Sequence, residues 1–324
     1  MTRAVLALDI GGTKLAAGVV DASGRVHSFL ALPSRADEGP ERVLARLFDL
    51  GRSAVERSEL GWDGIEGVGI GCGGPLDPDA GVLLSPPHLP GWRDVAVTSI
   101  AQDEYGKPAV LENDATAAAW GEHRHGAGAG TLNMVYLTLS TGVGGGVVMG
   151  GRLYRGSGGN GAELGHVTVD WRGRLCRGCG RNGCLEAYAS GTSIAERMHE
   201  ALALRDGGAA SRNGLTAADV VAAASSGDPI ARDVWLETID ALACGLTSIV
   251  NLFEPELVVL GGGVSRSGEQ LFGPVREWVR THAIAPAGRA VEIVPSALGD
   301  HVGVVGAAAI AYDRITTADV VARG

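Results

Sequence analysis

One pattern occurs twice and limits the fold more than any other feature. Val5–Asp9 is a short apolar run and Gly11-Gly12-Thr13 a glycine turn. Leu15–Val20 is a second apolar run, and Asp21-Ala22-Ser23-Gly24 turns the chain into Arg25–Leu30. The order returns at Val135–Leu139, Ser140-Thr141-Gly142-Val143-Gly144-Gly145, Gly146–Met149, the Gly150-Gly151 turn and Arg152–Tyr154. Apolar runs of this length between glycine turns read as strands. The chain therefore predicts two halves, each opening with a strand–glycine loop–strand hairpin. Glycine-rich hairpins are also ordinary in α/β proteins, so the duplication is weak by itself.

Between and after the hairpins the period changes. Val43, Leu44, Leu47, Phe48 and Val55 recur at helical spacing within Glu41–Val55. Ile65–Ile70 and Val110–Glu112 read as strands, and Ala115–Glu122 as a helix. Glu186–Leu204, Thr216–Ala224 and Pro229–Phe253 read as helices, Leu257–Leu260 and Val291–Val294 as strands, and Val304–Tyr312 as a closing helix. Strands alternating with helices predict an α/β protein. The helices crowding the second half suggest two lobes.

Length and charge narrow the function. The chain has 324 residues, enough for one large or two medium domains, with 45% hydrophobic residues to fill a core. A net charge of −10 argues against a partner bound through a phosphate backbone. The first apolar segment is broken by Asp9, too early for a signal peptide, and no unbroken apolar run nears a membrane span. A reducing, cytoplasmic location is the expectation, and the odd count of five cysteines fits it.

Two glycine loops could hold phosphate. Asp9-Ile10-Gly11-Gly12-Thr13-Lys14 places a carboxylate at a strand end before a turn with bare amides, and Ser140-Thr141-Gly142-Val143-Gly144-Gly145-Gly146 repeats this with hydroxyls. Neither is a Walker or Rossmann loop, because strands follow both. Plain tight hairpins are the structural alternative. Asp9 favours function, as a carboxylate beside two glycines suits Mg²⁺. Glu112-Asn113-Asp114-Ala115 falls at a strand-to-helix junction, where α/β sheets gather functional groups. Asn113 could hydrogen-bond a hydroxyl and Asp114 accept its proton; both are also ordinary helix caps.

Cys176-x2-Cys179-x4-Cys184 packs three of the five cysteines into nine residues. The spacing suits tetrahedral zinc, and His166 is the nearest fourth ligand. A redox CxxC is the rival, but it normally opens a helix. Zinc bound by one His166 nitrogen would leave the other free. Glu163 and Glu186 flank the cluster. Cys72 and Cys244 are isolated and read as small core residues.

Together these pieces resemble the ROK family (repressors, open reading frames, kinases), most closely its bacterial glucokinases. The resemblance covers essentially the whole chain: DIGGTK at 9–14, GGPLDP at 73–78, LPGW at 89–92, ENDA at 112–115, STGVGGG at 140–146, GNGAELGH at 159–166, CGRNGCLEAYASG at 179–191 and VVLGGGVS at 258–265. It implies the actin-like ATPase (ribonuclease H-like) α/β fold, two lobes around a cleft. The lobes would be 1–120 with 303–324, the smaller, and 121–302, the larger, with a zinc knuckle. It implies transfer of the ATP γ-phosphoryl group to a hexose, most readily glucose at its 6-hydroxyl. Asp114 would be the base, and Gly74, Asn113, Glu163, His166 and Glu186 would hold the sugar. Asp9, Gly11, Gly12, Thr13 and Lys14, with Thr141, Gly142 and Gly144, would cradle phosphates, and Gly261, Gly262 and Gly263 would line the adenosine. An Asp at a helix N-terminus would be kept ionised by the dipole. ATP, Mg²⁺ and structural Zn²⁺ (His166, Cys176, Cys179, Cys184) are the implied cofactors. A homo-oligomer, dimer or tetramer, is implied, without nucleic acid or membrane.

The sequence departs from the family pattern twice. The usual C-x-C-G-x-x-G-C-x-E has Arg177 in place of its first cysteine, with Cys176 one residue earlier. The usual A-G-E-x-G-H reads Gly161-Ala162-Glu163-Leu164-Gly165-His166, a swap of two small residues. Kinases for N-acetylmannosamine, fructose, mannose or allose share much of the pattern, and polyphosphate is a second possible donor. A sugar-responsive regulator of the same family would carry an N-terminal helix-turn-helix, whereas here a strand begins within five residues of Met1. A zinc hydrolase is disfavoured, because three cysteines and a histidine fill the coordination sphere.

Overall fold

The apolar run near the N-terminus becomes the middle strand of a sheet. β1 (Ala4–Ile10) pairs antiparallel with β2 (Lys14–Asp21), which pairs antiparallel with β3 (Val26–Pro33). α1 (Pro40–Arg57) follows, then β4 (Ile65–Cys72) parallel to β1. A two-stranded hairpin, β5 (Leu76–Asp77) with β6 (Val82–Leu83), leads through α2 (Val97–Tyr105) to β7 (Ala109–Asn113), parallel to β4. The order is β3-β2-β1-β4-β7. α3 (Asp114–His125) starts directly from β7.

β1 is buried on both faces, which explains its unbroken apolar run. Leu6, Leu8 and Ile10 join Val43 and Leu47 of α1 in one core. Val5 and Ala7 join Val304, Ala307 and Ala311 of the closing helix in another.

A second sheet has the order β10-β9-β8-β11-β12, from β8 (Met134–Leu139), β9 (Val143–Met149), β10 (Arg152–Tyr154), β11 (Leu257–Gly261) and β12 (Glu292–Pro295). β11 is parallel to both β8 and β12. Its helices are α4 (Glu186–Ala189), α5 (Gly191–Arg205), α6 (Ala217–Ser225), α7 (Pro229–Phe253), α8 (Glu269–His282) and α9 (Ala287–Ala290); α10 (Val302–Ala322) returns to the first sheet.

This computed structural model describes residues 2–205 and 214–322, with side chains as far as 315. It divides into two compact units: Met1–Thr131 with Gly146–Ala162 and Ser296–Gly324, and Leu132–Gly145 with Glu163–Pro295. This differs from the sequence-based division at 120 and 303. Segments 121–131, 146–162 and 296–302 go with the first unit.

One expectation on the helices needs correction. Glu186–Leu204 is two helices, because Ser190 is extended at φ −74° and ψ 151°. The Ser190 hydroxyl then accepts the Ser193 N–H at 3.1 Å and starts α5 afresh. Among the described residues, α7 is long and apolar enough to cross a membrane by length and composition alone. Half of its most apolar stretch is buried, and α7 packs on α5, α6 and α8, the position of a core helix.

Candidate active site

In the first unit, functional side chains collect at the C-terminal ends of parallel strands. Asp9 stands near the end of β1 and Asp114 one residue beyond β7. Gly71 of β4 lies between them: a Cβ there would come within 3.8 Å of both Asp9 Oδ1 and Asp114 Cα. The Asp9 carboxylate also lies on Gly303, in the first turn of α10, where a Cβ would meet Oδ2 at 2.5 Å. Burial pushes Asp9 up to about 7, and the Asp114 charge adds to this, while Lys14 pulls the other way.

Asp114 is raised as well. Burial is the largest cause; His88 and the Ala115 amide, at 2.8 Å from Oδ1, oppose it. Desolvation therefore outweighs the groups that favour its ionised form. Asn113 serves as a cap: its Oδ1 accepts from the Ala115 and Thr116 amides at 3.0 Å. Its Nδ2 lies on the side of Gly74, 3.7 Å from where a Cβ would be. Capping and ligand binding are thus compatible, using opposite ends of one amide.

The 9–14 loop is a tight turn in which the Gly11 N–H donates to the Lys14 carbonyl at 3.0 Å. Buried Ser34 pins it, donating from Oγ to the Gly12 carbonyl at 2.5 Å. Thr13 and Lys14 are exposed. Sequence reasoning missed His88, Ser34 and Gly303. The His88 ring lies against Gly73, where a Cβ would meet Cε1 at 2.5 Å. Burial lowers the affinity of His88 for its proton and Asp114 restores part of it. Its position just before Leu89-Pro90-Gly91-Trp92 was the only available signal.

In the second unit, the cysteine loop and the second glycine loop share one carboxylate. Glu186 Oε2 accepts the Val143 N–H at 3.0 Å, and its Oε1 lies 3.4 Å from Cys176 Sγ. Gly142 packs against it, where a Cβ would meet Oε2 at 2.7 Å. The ligand atoms of His166, Cys176, Cys179 and Cys184 all lie within 4.8 Å of one another. Cys179 and Cys184 Sγ are 3.5 Å apart, and Cys176 Sγ is 3.7 Å from His166 Nδ1. Tetrahedral zinc holds thiolates ~3.8 Å apart, so this donor set fits zinc, Cys176 included. Burial above all pushes the Cys176 thiol up to about 12; the Cys179 amide opposes this and the Glu186 charge adds to it, a state that a bound cation would reverse. His166 Nε2 points the other way, 4.0 Å from Glu163 Oε2.

The three glycines after β11 are not equivalent. A Cβ would meet the Tyr136 hydroxyl at 2.4 Å from Gly261 and the Leu139 carbonyl at 2.3 Å from Gly262. Those two are small for packing; Gly263 faces open space. The swapped pair at 161–162 is also explained. Gly161 must lack a side chain, since a Cβ would meet the Arg155 carbonyl at 2.8 Å, while Ala162 takes the left-handed φ of 64°.

The chain matches the ROK family over residues 5–314 and belongs to it. It is 36% identical over 318 residues to the glucokinase of Thermotoga maritima, covering 96% of this chain and 98% of that one. Among solved structures it resembles a ROK hexokinase from Thermus thermophilus, 37% identical with a TM-score of 0.79, covering 97% of this chain and 99% of that one. It also resembles a ROK family glucokinase from Streptomyces griseus solved with glucose and AMPPNP, 36% identical with a TM-score of 0.81, covering 96% and 99%. The fold is accordingly the α/β actin-like ATPase fold.

Proposed function

We propose that this protein is an ATP-dependent hexose kinase that converts glucose to glucose 6-phosphate. The observation that carries the reading is the carboxylate pair Asp9 and Asp114 at strand ends on either side of β4, in a chain similar along its length to glucokinases. Asp114 accepts the proton of the 6-hydroxyl. The hydroxyl oxygen forms the new bond to the γ-phosphorus of ATP, the bond to the β-phosphate oxygen breaks, and ADP leaves. A raised pKa suits a general base, which must take the proton as well as be free of one. Such transfer relies mainly on positioning and charge stabilisation.

Asp9 is suited to the Mg²⁺ that accompanies ATP, because a divalent cation relieves the like-charge repulsion it shares with Asp114. The 9–14 and 140–146 loops cradle phosphates through their amides, and Gly263 offers the open surface for adenosine. Gly74, Asn113, Glu163, His166 and Glu186 are the sugar ligands that the family pattern supports. His166, Cys176, Cys179 and Cys184 would hold a structural zinc, and His166 so held would keep its Nε2 for the sugar. A cytoplasmic homo-oligomer is the accompanying expectation from the family.

The test is coupled ADP release across a panel of hexoses, N-acetylmannosamine included. Glucose should give the highest kcat/KM. Activity on another hexose alone would move the substrate, and sugar-dependent binding to specific DNA with no ADP release would replace the kinase by a regulator.

A further inference from the structure

β7 is the last strand of its sheet, so one of its edges meets no further strand. Backbone groups on such an edge need other partners. At the C-terminal end of β7 charged side chains supply them. Arg314 of α10 donates from Nη1 to the Leu111 carbonyl at 3.2 Å and to the Pro78 carbonyl at 3.1 Å. Glu112 Oε1 accepts the Asn113 N–H at 3.1 Å. Glu112 Oε2 accepts from Arg155 Nε at 2.6 Å and from Arg314 Nη2 at 3.3 Å.

Glu112 has no exposed surface, whereas the Arg155 side chain keeps 32% of its own. A lone carboxylate buried this way would be costly, and two guanidiniums make it tolerable. An apolar residue would fill the same space at less risk, so the triad calls for another reason. Its placement gives one. The clamped carboxylate belongs to the residue before Asn113 and holds the Asn113 N–H, one residue before Asp114. The clamp draws together the end of β7, the turn after β5 and the segment after β10.

We propose that Glu112, held by Arg155 and Arg314, is a positioning residue for phosphoryl transfer: it sets the backbone at Asn113 and thereby aims the Asp114 carboxylate at the substrate hydroxyl. This rests on Asp114 being the base. A displacement of about 1 Å at a reacting group costs ~10²-fold in rate, so small losses of tension here are visible in kcat.

Two variants, and a chemical rescue of a third, test it. Glu112→Gln keeps the shape and drops the charge. Arg155→Met removes one clamp at a partly exposed position, where folding is more tolerant. Both should lose ~10–10²-fold in kcat with glucose, while glucose Kd by calorimetry changes less than ~3-fold. Guanidinium ion should restore part of kcat to Arg155→Ala and nothing to Asp114→Asn, a response that a merely structural role would not give. Folded variants with kcat within ~2-fold of wild type, or a loss confined to melting temperature, overturn the proposal. If Glu112→Gln does not fold, Arg155→Met and the rescue decide alone. A wild-type protein that phosphorylates no hexose defeats the kinase reading and this inference with it; an active wild type with indifferent variants defeats only the inference.

Discussion

In the first sheet the strands run β3-β2-β1-β4-β7, and in the second β10-β9-β8-β11-β12: in each, a meander feeds two later strands. The strand ends differ in chemistry. Asp9 and Asp114 stand at the ends of β1 and β7, with the Asp114 charge adding to the cost of ionising Asp9, whereas Ser140-Thr141 and Gly261-Gly262-Gly263 stand at the ends of β8 and β11. The first sheet carries charge where its duplicate carries hydroxyls and bare amides. Proton transfer and cation binding need titratable groups in low dielectric; holding a nucleotide does not. On the proposed function, the repeated topology supplies the scaffold and the residues at the strand ends divide the work.

The sharpest way to break this comparison is Asp114→Asn. If the first sheet alone supplies the base, kcat falls by ~10²–10⁴-fold while glucose Kd stays within a few-fold. Steady-state kinetics with calorimetry checks both. A kcat within tenfold of wild type would remove the base from β7 and with it the division of labour.

Zinc removal addresses the other unit and should give the opposite signature. His166 presents Nδ1 to Cys176 and Nε2 to Glu163, so a zinc on Nδ1, as proposed, would fix the ring and its loss would free the ring to turn. Chelation should weaken glucose binding by ~10–100-fold, with zinc measured by elemental analysis before and after. Metal-free protein that keeps its glucose affinity would make the cysteine loop a bystander.

Asp9→Asn tests the electrostatic cost borne by the first sheet. The native carboxyl titrates at about 7, above its ordinary 3.8. The folded state therefore binds a proton that the unfolded state has released, and stability is lost as pH rises from about 4 to about 7. In Mg²⁺-free protein, Asp9→Asn should be more stable than wild type at about pH 8, by up to ~4 kcal/mol, with the gap closing near pH 4. Urea titrations at the two pH values measure it. Equal stability at both would mean that Lys14 or solvent already compensates the charge.

These contrasts also show which features were legible from sequence. The strands were, because β1, β8 and β11 are buried on both faces and leave unbroken apolar runs. The cysteine cluster was, because most of its ligands are local. The Glu112 clamp was not: Arg155 lies 43 residues from it and Arg314 lies 202 away, and an arginine in isolation reads as surface charge. The division of Glu186–Leu204 was hidden as well, since Ser190 interrupts the helix by its own backbone geometry without a glycine or proline at that position. The direction of the Asp114 shift needed burial, which local spacing does not report.

The smallest expected effect concerns Ala162. It holds φ 64° in the segment that leads into Glu163, and an alanine there carries a strain of roughly 1–2 kcal/mol that glycine lacks. Glycine loses more chain entropy on folding, by roughly 0.5–1 kcal/mol, so the two effects partly cancel. Ala162→Gly should therefore raise the melting temperature by about 1–3 °C. Gly161→Ala should do the reverse and by more, because its Cβ would meet the Arg155 carbonyl at 2.8 Å. That carbonyl belongs to the residue whose guanidinium clamps Glu112, so the Gly161→Ala variant should lose kcat as well as stability. A fall in melting temperature for Ala162→Gly would show that neighbouring contacts favour the alanine methyl. The swap of two small residues would then be a packing choice and not a tolerated strain.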